Sequence, residues 1–226
     1  IYSFSMRKKG FDINLSSIKK EGNKYKILIN FGNQNVYFYI SSNFENDIKN
    51  LLAALTVIQI YKNIKKLDKN IFYDHQTPKG RGDISKIKID KKNIYLIDES
   101  YNSNPLSLKS AIKNFDMIKV KNSKKHLILG DMLELGSHSK RLHSGISDTI
   151  NRSSINYVNV IGRHITETYK NINKNKKGII LKNNSQIIDL IKNNIDNNDY
   201  LMIKGSNSTG LNKLTNTIKT GKINAL

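Results

Sequence analysis

The stretch Leu96-Ile97-Asp98-Glu99-Ser100-Tyr101-Asn102-Ser103-Asn104-Pro105 limits what this chain can fold into more than any other. An apolar run ends in acid, hydroxyl and amide groups, then meets Asn-Pro, a pair suited to the N-cap and first position of a helix. A strand that hands polar side chains to a helix mouth is the junction where α/β proteins place ligands. Two more such junctions follow, at His126-Leu127-Ile128-Leu129-Gly130-Asp131-Met132-Leu133-Glu134-Leu135-Gly136 and at Tyr200-Leu201-Met202-Ile203-Lys204-Gly205-Ser206. Three polar strand ends of this kind predict one shared crevice.

Around them, strands are predicted at 93–98, 125–129, 157–161, 178–181 and 199–203, and helices at 105–119, 138–150, 184–195 and 211–220. Such alternation predicts a largely parallel, right-handed α/β sheet. Upstream, apolar runs at Tyr25–Ile29 and Val36–Ile40 flank Gly32-Asn33-Gln34-Asn35 and read as a β-hairpin without evident chemistry. Within 46–64, Ile48, Leu51, Leu52, Leu55, Ile58 and Ile60 recur at mostly helical spacing, which predicts a buried helix with Ala53 and Ala54 allowing close packing. Gln76-Thr77-Pro78-Lys79-Gly80-Arg81-Gly82-Asp83 has the composition of a linker or functional loop, so a domain boundary is expected there, between 1–78 and 79–226. The Asn/Lys-rich pieces at 170–177 and 192–198 read as surface loops.

At 226 residues the chain can bury one large core or two modest ones. A net charge of +20 invites a nucleic-acid reading. The cations are mostly Lys, however, spread along the whole length among Asn and Ile instead of Arg and stacking aromatics. A solvated surface and no nucleic-acid partner are therefore expected, with a basic nucleic-acid module or a noncatalytic α/β remnant as the alternative. Cysteine is absent, so there is no disulfide framework and no thiolate metal site, which fits a reducing, cytoplasmic setting. No run of eighteen apolar residues occurs and Ile1-Tyr2-Ser3-Phe4-Ser5 lacks the features of a signal peptide, so no membrane span is expected. The first residue is not Met, and a start within a longer protein is expected.

Among single residues, Arg81 stands on a Gly-flanked loop, where a guanidinium can grip a phosphate or carboxylate bidentately; the plainer alternative is a surface arginine. Asp98 and Glu99 end a strand, so one points inward and one outward. Asn104 reads as a helix cap. Asn102 is either a turn residue or an amide that joins the free N–H groups of the helix mouth in holding a carboxylate. His138 and His143 lack the spacing of a helical zinc pair, and no metal site is expected. Lys204-Gly205-Ser206 lacks the glycine-rich lead of a phosphate loop.

Taken in order, Lys79-Gly80-Arg81-Gly82-Asp83, Asp98 to Pro105, Gly130-Asp131-Met132-Leu133-Glu134-Leu135-Gly136 and Lys204-Gly205-Ser206 resemble the Mur ligase family, and Asn50-Leu51-Leu52-Ala53-Ala54 matches its Asn-x-x-Ala-Ala helix. The resemblance implies a Rossmann-like C-terminal Mur ligase domain at 79–226, preceded at 1–78 by the tail of a central α/β ATPase domain without its nucleotide loop. It implies ATP and Mg2+ as cofactors, with the Mg2+ ligands mainly upstream, and a monomeric amide ligase. The Gly130–Gly136 run, with His138 and Leu142-His143 after it, points to UDP-N-acetylmuramoyl-tripeptide and D-alanyl-D-alanine as the partners joined. By the same resemblance Asn50 sits by the adenine, Arg81 meets the ATP phosphates, Glu99 holds the ribose, and Asn102, Asn104, Lys204 and Ser206 line the dipeptide side. Arg81 and Glu99 are the expected catalytic pair.

Three positions depart from the family pattern. Glu99 stands where Asp is usual, Asn46-Asp47 where His-Asn is usual, and Asn207 where Arg is usual. The extra methylene of Glu99 shifts its carboxylate by over ~1 Å, a misplacement that can cost about a hundredfold in rate. This chain by itself is expected to be inactive.

Overall fold

The computed structural model describes residues 2–7, 10–74 and 79–221. The chain divides into two compact units, residues 1–76 and 77–226.

In the first unit, β1 (Phe4–Ser5), β2 (Ile13–Glu21), β3 (Lys24–Phe31) and β4 (Gln34–Ile40) form one sheet in that order, with β2, β3 and β4 antiparallel and β1 parallel to β2. The expected hairpin is the β3–β4 pair. Its period-two pattern buries Ile27, Ile29, Val36, Phe38 and Ile40 together with Ile48, Leu51, Leu52 and Leu55 of α1 (Glu45–Tyr61). Strand β2 escaped the sequence reading because, apart from Ile13, its residues stay partly or fully exposed, and a register shift between Leu15 and Ser17 breaks its alternation. Helix α1 is half-buried, not buried. Its stripe at i, i+3, i+4 and i+7 from Ile48 ends at Leu55, while Val57, Ile60 and Tyr61 face out and the helix stops before Ile64.

The second unit is a six-stranded sheet in the order β5-β6-β10-β7-β8-β9. Its strands are β5 (Asp83–Ile89), β6 (Lys92–Glu99), β7 (Lys125–Gly130), β8 (Tyr157–Ile161), β9 (Lys177–Leu181) and β10 (Tyr200–Lys204). All neighbours are parallel except β5, which runs antiparallel to β6 at the edge. Helices α2 (Pro105–Met117), α3 (Ser139–Ser144), α4 (Ser147–Asn151), α5 (Thr166–Asn171), α6 (Asn184–Asn194) and α7 (Leu211–Lys219) complete it. Successive strand residues serve opposite cores. Leu96, Ile128, Leu201 and Ile203 pack with α6 and α7, whereas Ile97, Leu127, Leu129 and Met202 pack with α2 and α4. Burial on both faces is why these strands read as continuous apolar runs.

Two expectations need correction here. The helix at 138–150 is two short helices, with Gly145 between them. Strand β5 was not anticipated, since its outward Ile84, Lys86 and Lys88 leave only Ile87 and Ile89 buried. The decisive topological feature is that the last strand, β10, inserts between β6 and β7. Lys204 thereby pairs in register with both Glu99 and Leu129, and the three polar strand ends stand side by side.

Candidate active site

The Arg81 loop is shaped by its two glycines. Gly80 and Gly82 have φ of 77° and 98°, where a side chain is strained. Space is tight as well: a Cβ on Gly80 would stand 3.0 Å from Tyr101 Cβ, and one on Gly82 3.0 Å from Glu99 Oε1. The loop lies against the end of β6. Gly82 N–H donates to Asp98 O at 2.7 Å, and Tyr101 N–H donates to Gly80 O at 3.0 Å. Arg81 is exposed, with its guanidinium 4.6 Å from the centre of the Tyr101 ring. A planar cation resting on an aromatic face and otherwise open to solvent is suited to an oxyanion.

Beside it lies the Glu99–Lys204 pair. Lys204 is buried, and its ammonium donates to Glu99 Oε2 at 3.2 Å, to Asn102 O at 2.9 Å and to Glu99 O at 3.5 Å. The lysine therefore sits beneath the 99–102 turn, not on the open side of the crevice. Burial pushes the Glu99 carboxyl above its ordinary range, against the pull of Lys204. Burial, aided by the charge of Arg81, also pulls the Lys204 ammonium below its ordinary range, against Glu99. Glu99 keeps its side chain 19% accessible, with Oε2 on Lys204 and Oε1 lying toward Gly82.

Asn104 caps α2. Its side chain accepts from Ser107 N–H at 2.8 Å, and the Ser107 hydroxyl accepts from Asn104 N–H at 3.1 Å. Asn102 lies exposed at the same mouth, its Oδ1 accepting from Ser103 N–H at 2.7 Å. Ser206 is buried and stitches the strand ends together. Its N–H donates to Asp131 O at 3.0 Å, its Oγ accepts from Leu133 N–H at 2.9 Å, and its hydroxyl donates to Ser103 O at 3.3 Å. Arg81, Glu99, Asn102, Asn104, Lys204 and Ser206 thus gather at one end of the sheet, with Lys204 and Ser206 underneath and the other four at the surface. Asn50 lies on the exposed side of α1, in the first unit.

The residues after β7 are held by groups the sequence reading did not assign. Asp131 accepts from Ile165 N–H at 2.7 Å and Arg163 N–H at 3.1 Å. His143 accepts from Met132 N–H at Nε2, 3.1 Å, and makes a 2.8 Å contact from Nδ1 to Ser139 O. With both ring nitrogens occupied, His143 is a brace for the 130–136 loop, and burial holds its pKa below the ordinary histidine value. Lys219 went unnoticed too: it bridges Asp83 and Asp98 below the Arg81 loop. A hydrophilic face on the last helix was the sole local sign of it. Several other lysines serve the fold, Lys125 donating to Asp116 O and Lys176 to Ser153 O and Ile155 O. Among the described residues, no group of three or more His, Asp or Glu could hold a metal, and no helix is long and apolar enough to cross a membrane.

Comparison with known proteins adds to this geometry. Residues 85–207 match the family described as Mur ligase, glutamate ligase domain. The UDP-N-acetylmuramoyl-tripeptide--D-alanyl-D-alanine ligase of Rickettsia prowazekii is 28% identical over 176 residues, 78% of this chain and 37% of that protein. The ligase of the same description from Buchnera aphidicola subsp. Baizongia pistaciae is 29% identical over 218 residues, 93% of this chain and 44% of that protein. In fold, the chain is similar to a MurF ligase of Thermotoga maritima in complex with ADP, with TM-score 0.73, 16% identity, and coverage of 96% of this chain and 48% of that one. It is also similar to MurF from Acinetobacter baumannii, with TM-score 0.76, 19% identity, and coverage of 97% of this chain and 46% of that one. The chain spans less than half the length of each of these proteins.

Proposed function

The chain belongs to the Mur ligase family, and on that basis we propose that it is the C-terminal portion of an ATP-dependent amide ligase joining D-alanyl-D-alanine to UDP-N-acetylmuramoyl-tripeptide for peptidoglycan precursor synthesis. In this reading residues 1–78 are the tail of the central ATP-binding domain and 79–226 the C-terminal domain of a monomeric cytoplasmic enzyme. One observation carries the site assignment: Arg81, Glu99 and Asn102 converge at one end of the sheet, Arg81 against the Tyr101 ring and both Glu99 and the Asn102 carbonyl on buried Lys204.

The reaction transfers the γ-phosphoryl of ATP to the tripeptide carboxylate, giving an acyl phosphate and ADP. The dipeptide amine then attacks the acyl carbon, expels phosphate and loses a proton as the amide forms. Arg81 supplies positive charge where the phosphoryl oxygens gather charge, the kind of preorganised electrostatics that yields large rate terms. Its rest on Tyr101 keeps the guanidinium oriented before the phosphates arrive. Glu99 accepts from ribose hydroxyls through its partly accessible carboxylate. Asn50 contacts the adenine. Asn102 and the mouth of α2, with the amide of Asn104, face the dipeptide. Lys204 and Ser206 act from below, fixing the turns that carry these groups. Among the described residues no group of three or more His, Asp or Glu could hold a metal, and the magnesium of the intact enzyme would be held mainly by residues of the upstream region.

The test is to express the chain together with the coding region that precedes Ile1 and measure phosphate release. Release that requires ATP, the UDP-linked tripeptide and D-alanyl-D-alanine together is the expected result. A folded, intact product that binds ATP yet shows no turnover with this pair would remove the proposal.

A further inference from the structure

Asp83, Asp98 and Lys219 form a cluster that none of the roles above uses. The Lys219 ammonium, at the end of α7, lies 2.5 Å from Asp83 Oδ2 and 2.6 Å from Asp98 Oδ2. The remaining oxygen of each acid holds a different piece of backbone. Asp83 Oδ1 accepts from Gly80 N–H at 2.7 Å, within the Arg81 loop. Asp98 Oδ1 accepts from the N–H and hydroxyl of Ser100 at 3.0 and 2.5 Å, within the Glu99 turn. The Ser100 hydroxyl in turn lies 2.9 Å from that of Thr215, also on α7.

We propose that Lys219 is a positioning residue: by bridging the acid under the Arg81 loop to the acid under the Glu99 turn, it sets the distance between the guanidinium and the carboxylate that meet the nucleotide. The proposal rests on the ligase reading for what those two groups touch. Its physical content is independent of that reading. Two carboxylates facing one small space repel, and a single ammonium shared between them turns that repulsion into a clamp. Burial opposes the charge on Lys219, but its hydrogen bonds to Asp83 and Asp98 outweigh burial and hold its pKa above the ordinary lysine value. The clamp is therefore present throughout the neutral range.

The two acids are not equally free to move. Asp98 is 1% exposed in a strand paired on both sides. Asp83 begins the edge strand β5 and is only partly buried. Without the ammonium, Asp83 is the one that swings away, taking Gly80 and so Arg81 with it. Asn102 is held separately by Lys204 and is left in place.

Hydrogen exchange of this chain, read residue by residue by NMR, tests the clamp directly. In Lys219→Met the amides of Gly80 and Gly82 are expected to exchange about tenfold faster or more, while those of Ile128 and Leu201 stay within about twofold, and Lys219→Arg is expected to restore protection. Unchanged glycine amides, or acceleration shared equally by the sheet, would overturn the proposal. Should Lys219→Met fail to fold, Asp83→Asn leaves the Asp98–Lys219 pair and carries the same comparison. In the intact ligase, Lys219→Met is expected to raise the KM for ATP about tenfold with the KM for D-alanyl-D-alanine unchanged. A fall in kcat with both KM values unmoved would count against positioning. If the unaltered intact protein has no turnover, the ligase reading fails, and the exchange result still decides on Lys219.

Discussion

The two ends of the parallel sheet each carry a buried acid–base pair, and only one has the features of a site. At the C-terminal end, Lys204 meets Glu99 at 3.2 Å; at the N-terminal end, His126 meets Asp199 at 2.9 Å. The second pair is closed on itself. Asp199 Oδ1 accepts from Lys124 N–H at 2.7 Å, its Oδ2 accepts from Asp196 N–H at 3.1 Å besides meeting His126, and the His126 ring stacks on Tyr157. Both side chains are 3% accessible. At the C-terminal end the base is as buried, but the acid's side chain stays 19% accessible, with an exposed guanidinium nearby. A perturbed buried pair is therefore not in itself a functional signal. The distinguishing feature is an acid that stays partly accessible after its ion pair is made.

Substitutions at the two ends should part company. The largest effect is expected at the closed end: Asp199→Ala orphans two backbone N–H groups and a buried ring, and should cost about 3–5 kcal/mol in urea unfolding of this chain. The folded fraction of the intact ligase should keep its KM for ATP. At the open end, Arg81→Ala should leave unfolding within about 0.5 kcal/mol, yet lower phosphate release by the intact ligase about a hundredfold. Stability loss at Arg81, or an ATP effect at Asp199, would erase the contrast between the two ends.

The smallest effect expected is on pH dependence. Burial holds His126 and His143 below the ordinary value of 6.5, so the unfolded chain binds their protons more readily than the folded one. Their contribution to stability is present above pH 6.5 and is lost as pH falls through their lowered values. Glu99 has the opposite sign: its raised pKa means that stability is lost as pH rises from 4.5 through the folded value. Thermal unfolding between about pH 7.5 and 5.5, the range in which an ordinary histidine gains its proton, should show Tm falling toward acid, with a shallower fall in His126→Gln. A profile that His126→Gln leaves unchanged would show that His126 is not held neutral.

Much of the second unit was legible locally. Apolar runs bounded by polar ends located β6, β7, β8, β9 and β10; in β6, β7 and β10 the run reflects burial on both faces, whereas the edge strand β9 leaves Ile179 and Ile180 exposed. Asn104-Pro105 marked the start of α2, because capping is chemistry between near neighbours. The strands missed, β1, β2 and β5, lie largely open to solvent, where side-chain pattern is weakly constrained. The pairing of residues within the site was not legible at all. Lys204 lies 105 residues from Glu99, and Lys219 lies 136 from Asp83 and 121 from Asp98.

The order of residues by itself determined that strands would end in polar groups at helix mouths, and that Arg81 would ride on a glycine-flanked loop. Which groups would face a ligand and which would brace them was decided only when β10 entered between β6 and β7. The physical reason is that periodicity and capping act over a few residues, whereas burial and charge pairing depend on which distant segments a strand order brings within about 3 Å. In one dimension Lys204 and Ser206 read as lining groups at a strand end, and in three they lie buried and hold the crevice together.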